Sequence, residues 1–132
     1  MAEDFLDAHH RHWDDAELLY QTQRWANADH LFGVSAECGL KRLMEMMNNG
    51  ALNPQKDRLH MPSAWSRFQT YRSGHIAGPQ LALPNENPFQ GWHVSQRYDS
   101  RDGFNQARVD PHRSGAELVH KLIRKAQRDG ML

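Results

Sequence analysis

A single cysteine, Cys38, occurs among the 132 residues. No internal disulfide can form, and a small disulfide-stapled secreted fold is excluded. No run of 18 apolar residues is present, so the ordinary signature of a membrane-spanning helix is missing. There is no excess of either charge: Lys and Arg number 16, and so do Asp and Glu. A basic surface over the whole molecule, of the kind that binds nucleic acid non-specifically, is therefore not expected. The opening MAEDFLDAHH lacks the basic-then-apolar order of a secretory signal. A cytoplasmic protein with no membrane partner is the expectation. Internal repeats, low-complexity tracts, a phosphate-cradling glycine loop and a Ser-His-Asp order are all lacking.

Apolar residues make up 39% and charged residues 24%, a globular balance, and the length suits one domain over 1–132. The charge is unevenly spread. Residues 1–20 carry six acids against Arg11 alone, whereas residues 97–132 carry eight Lys and Arg against five acids. The nine histidines are many for this length.

Hydrophobic periodicity predicts an all-α fold, a four-helix bundle of the up-and-down type. A first helix spans about Asp4 to Gln23, with Asp4 as N-cap and a stripe of Phe5, Ala8, His9, His12, Trp13, Ala16, Leu19 and Tyr20. After a short break comes a second long helix to Asn48, with Gly50 in its C-cap region. Its stripe of small and apolar residues includes Ala28, Phe32, Ala36, Gly39, Leu40 and Leu43. So short a link makes the two an antiparallel hairpin. Ser63 is expected to cap a short third helix. Residues 74–108 read as a long ordered crossover pinned by Phe89, Trp92, Val94 and Tyr98, and Asp110-Pro111 as the cap and first turn of a last helix. The four tryptophans read as core anchors.

The two long helices and the run Ala28-Asp-His-Leu-Phe-Gly-Val-Ser-Ala-Glu-Cys-Gly-Leu-Lys41 resemble the HEPN superfamily of small helical bundles. Glu37 followed four positions on by Lys41 fits, as do Leu59-His60, Arg97-Tyr98-Asp99 and His112-Arg113-Ser114-Gly115-Ala116. The resemblance implies a homodimer that binds or acts on RNA or nucleotides, often within a toxin–antitoxin or defence system. A cognate antitoxin or nucleotidyltransferase-type protein would be its partner. Active members are metal-independent ribonucleases with an arginine, four to six residues and a histidine. Histidine titrates near neutrality and can move the 2′-hydroxyl proton; arginine can hold the phosphate through paired hydrogen bonds.

Two places match that spacing, Arg113 with His120 and Arg24 with His30. The first is preferred, because its residues fall within about 20° of each other on a helical wheel at the rim of the buried stripe. Arg113 and His120 are thus the candidate catalytic pair, and Arg97, His112 and Arg124 are candidate RNA contacts implied by the resemblance.

No metal or cofactor is expected. His9 and His12 share a helix face, but no third ligand is placed by sequence, and packing at the polar edge is the simpler reading. Glu117-x-x-His120 occurs once, where a di-metal bundle needs two such motifs. Cys38 sits mid-helix among small residues and reads as buried, and Glu37 and Lys41 read as internal partners one turn apart. Three functions stay open: a non-catalytic RNA- or nucleotide-associated module, a metal-independent endoribonuclease, and a protein-interaction module with no nucleic-acid role.

Overall fold

The computed structural model describes residues 3–132. It is a four-helix bundle of α1 (Phe5–Gln21), α2 (Trp25–Asn48), α3 (Ser63–Ser73) and α4 (Gln106–Arg128). Three short 3-10 segments, Gly78–Leu81, Val94–Tyr98 and Arg101–Gly103, punctuate the crossover before α4. No strand is present among the described residues.

Asp4 caps α1, its Oδ1 accepting the Asp7 amide at 2.9 Å. The chain reverses over Thr22–Arg24, with Gln23 in the left-handed region at φ 60°. Helix α2 ends on Asn49, also left-handed at φ 56°, one residue before the glycine expected there. Asn49 tolerates that conformation better than most residues.

Helix α2 is the central element and touches α1, α3 and α4. From Phe32 to Lys41 every residue but Val34 is buried. Close approach needs its glycines: a Cβ on Gly39 would lie 2.6 Å from Val119 Cγ1 and 2.8 Å from His9 Nδ1. Inter-helix partners give the directions. His9 meets Ser35 while Tyr20 meets Trp25, so α1 and α2 are antiparallel. Asp29 meets His112 while Gly39 meets Val119, so α4 runs parallel to α2.

Two carboxylates are buried in this frame. Asp29 is fully enclosed; its Oδ1 accepts from His112 Nδ1 at 2.6 Å and its Oδ2 from Gln96 Nε2 at 2.5 Å. Its backbone carbonyl accepts from the Trp92 indole at 2.9 Å. One α2 residue thereby pins α4 and the crossover. Glu37 accepts from Lys41 Nζ at 2.9 Å, from His60 Nδ1 at 3.0 Å and from the Met61 amide at 3.3 Å. That joins the expected Glu37–Lys41 pair to the loop before α3.

Three sequence expectations need correction. Helix α4 starts a full turn before Asp110, with Asn105 accepting the Arg108 amide at 2.9 Å. Asp110 accepts the Tyr20 hydroxyl at 2.6 Å instead, and Pro111 lies inside the helix, where it forgoes one backbone hydrogen bond. Ser63 is the first residue of α3 and makes no side-chain cap; Pro62 precedes it. Among the crossover anchors, Phe89 and Trp92 are fully buried and Val94 partly so, but Tyr98 is 79% exposed.

Candidate functional site

The α1–α4 boundary is a polar seam. Tyr20 reaches Asp110. Three residues back along α1 and three forward along α4, Arg113 Nε and Nη2 donate to Glu17 Oε1 and Oε2 at 2.7 and 2.9 Å. The guanidinium also lies 4.1 Å from the Tyr20 ring centre. Hydrogen bonding to Glu17 holds the Arg113 pKa well above its ordinary value.

Seven residues further along α4, and seven to eight back along α1, the seam ends in His120, His10 and His9. His9 Nδ1 donates to the Ser35 carbonyl at 2.8 Å, which leaves Nε2 facing His120 Nδ1 at 3.0 Å. The His10 ring centre stands 5.1 Å from that of His9 and 5.6 Å from that of His120. Trp13 stacks on His120 at 4.5 Å and an angle of 12°. Burial is the main cause that lowers the His9 pKa, to about 4, and the neighbouring imidazoles add to it. Burial also lowers that of His120, helped by His10 and Arg124.

Arg113 and His120 thus lie on one seam as the wheel places them, but each is engaged by α1, and no hydrogen bond joins them. His112 is buried against Asp29, with its ring stacked on Phe89. There it braces the core, joining α4 to α2. Arg97 and Arg124 are exposed. Arg124 shares the outer face of α4 with Lys121, Lys125 and Arg128. Lys121 is paired with Glu117 at 3.1 Å, which takes up the glutamate of the Glu-x-x-His. His12 is not among the imidazoles that converge with His9, which are His10 and His120.

The structure adds a pocket of about 410 Å³ at the α1–α2 turn, lined by Gln23, Arg24, Trp25, Ala26, Asn27, Asp99 and Arg101. The start of α2 faces it without a side-chain cap, so its first amides carry the positive end of the helix dipole. Arg24, Arg97 and Arg101 have no carboxylate within ion-pair distance among the described residues. Beside it, Arg97 lies 4.9 Å from the ring centre of exposed Tyr98. Asp99, from the Arg97-Tyr98-Asp99 run, lines one wall, and Arg24, from the second Arg–His spacing, lines another.

Cys38 is buried, and burial pushes its thiol up to about 11, so it is no nucleophile at neutral pH. His30 is half-buried, stacked on Trp92, with Nδ1 enclosed and without a hydrogen-bond partner. Burial lowers its pKa, and Arg97 adds to the effect. No helix among the described residues is long and apolar enough to cross a membrane. In comparisons with protein-family models, with curated proteins and with solved structures, nothing matches this chain.

Proposed function

We propose that this chain is a HEPN-like, non-catalytic module that binds single-stranded RNA or a nucleotide at the α1–α2 turn. The observation that carries the reading is the pocket at the uncapped start of α2, where Arg24 and Arg101 flank it. Amides at a helix start and arginines both favour phosphate oxygens. The exposed Arg97–Tyr98 pair beside it offers a base a surface to stack on. The non-catalytic part rests on Arg113, whose paired donors are engaged by Glu17, and on His120, which faces His9. A cytoplasmic homodimer, and a toxin–antitoxin or defence setting with an antitoxin or nucleotidyltransferase-type partner, belong to the same reading through the resemblance. Leu18, 64% exposed on α1, is an apolar side chain that a second copy would cover.

The test is retention of a single-stranded RNA by the full chain as salt is raised. Binding should weaken with salt, and Arg24→Ala with Arg101→Ala should lower the slope of log K against log salt by about 1.4, two phosphate contacts' worth. RNA should stay intact in chelator. Binding indifferent to salt and to both substitutions would overturn the assignment. Cleavage in chelator that is lost in Arg113→Ala and His120→Ala would replace it with the endoribonuclease reading.

A further inference from the structure

Three imidazoles converge where the α1–α4 seam ends, and nothing in the RNA reading uses them. One ring nitrogen from each of His9, His10 and His120 lies within 4.8 Å of the other two. In a tetrahedral site with metal–nitrogen bonds of about 2.0–2.1 Å, ligand nitrogens stand about 3.3 Å apart. His9 Nε2 and His120 Nδ1, at 3.0 Å, are already near that spacing. His10 is half-buried and makes no hydrogen bond of its own that would resist a small adjustment of its ring.

The surroundings suit coordination. The Ser35 carbonyl accepts from His9 Nδ1, which fixes the tautomer and aims the Nε2 lone pair at the cluster. A backbone carbonyl in that position is the usual outer brace of a metal-bound histidine. Trp13 holds the plane of His120 by stacking. Gly39, with no side chain, leaves the space that the His9 ring occupies. His10 and His120 are only half-buried, so the cluster opens to solvent on one side. All three donors are neutral nitrogens, a set that suits zinc, copper or nickel and not calcium or magnesium. Asp14 and Glu17 act on the charge at His120 as nearby anions, against Arg124 as a nearby cation.

We propose that His9, His10 and His120 form a site for one divalent transition-metal ion of the zinc class, with the fourth position left to water or a small anion. Sequence spacing conceals it, because two ligands are adjacent on α1 and the third is 110 residues on, on α4. Among residues adjacent on a helix, only one normally points at the core; here α4 lies over the side to which His10 points as well.

The test is a titration of the full chain, prepared without a polyhistidine tag and stripped with chelator, using Zn²⁺ against a chromophoric competitor and Co²⁺ followed by its visible absorption. One equivalent should bind, with the intense Co²⁺ bands of four-coordination. His10→Ala should weaken binding at least tenfold while the metal-free melting temperature changes little, since the His10 side chain makes no hydrogen bond and only edge contacts with the other two rings. His120→Asn should weaken it likewise, and His12→Ala should leave it unaltered. The absence of saturable one-to-one binding would overturn the site. So would binding that survives both His10→Ala and His120→Asn, or that is lost in His12→Ala alone.

Discussion

Arg113 and Glu17 face each other across the α1–α4 seam in a two-point pair, guanidinium edge to carboxylate, with the Tyr20 ring beneath the guanidinium. Both side chains are about one-third exposed, at 32% and 27%, so water screens the attraction and geometry supplies most of its worth. A double-mutant cycle of Arg113→Ala and Glu17→Ala, measured by chemical denaturation, should give a coupling of about 0.5–1 kcal/mol. Repeating the cycle with Tyr20→Leu should lower the cost of Arg113→Ala by about 0.5 kcal/mol, the share owed to the ring.

Asp29 differs in kind. It is fully buried and serves three partners. Asp29→Ala leaves the Gln96 amide and the His112 ring without their acceptor and should destabilise the fold by about 3 kcal/mol. The indole bond goes to the backbone carbonyl and should survive. Near-ultraviolet circular dichroism can follow Trp92 during the same denaturation experiment, and its native signal should persist below the shifted midpoint.

Gly39 should resist even a methyl group. Alanine raises helix propensity by about 1 kcal/mol, but its Cβ would meet Val119 and the His9 ring at well below contact distance. Overpacking of this sort costs about 1–3 kcal/mol. The net effect of Gly39→Ala should be a loss of stability of about 1 kcal/mol, read as a lower urea midpoint at constant slope.

Asp57 should mark the acid limb of the stability curve. Burial raises its pKa, but hydrogen bonds from Tyr71, Arg67 and the Asn53 amide outweigh that and leave it below the usual carboxylate value. A group with a depressed folded pKa adds stability above its unfolded pKa, near 3.9, and loses it as pH falls through the folded value. Asp57→Asn should therefore destabilise by about 1–3 kcal/mol at neutral pH. The gap to the native protein should close as pH is lowered below about 4. Urea titrations at pH 7 and pH 3 would show it.

Local chemistry made much of the bundle legible. Asp4 is an N-cap in sequence and in structure, and Glu37 with Lys41 is a pair one turn apart in both. Asp29 gave no such signal, because its partners Gln96 and His112 lie 67 and 83 residues away, and only tertiary packing brings them in. Asp110-Pro111 misled for a related reason. It has the composition of a helix start, but its carboxylate is taken by Tyr20 from another helix, and Asn105 does the capping. The histidine cluster was half visible. The stripe on α1 singled out His9, and the Arg113 spacing singled out His120. His10 falls outside that stripe, and its role depends on where α4 crosses.

The position of α2 among all the other helices bears on how the molecule opens. Fraying of α3, or release of the crossover, would still leave the middle of α2 covered by α1 and α4. Amide hydrogens from Phe32 to Leu40 therefore have no partial opening through which to meet solvent. Their deuterium exchange should proceed at the rate set by global unfolding and report the full stability of the chain, while α3 exchanges earlier through local opening.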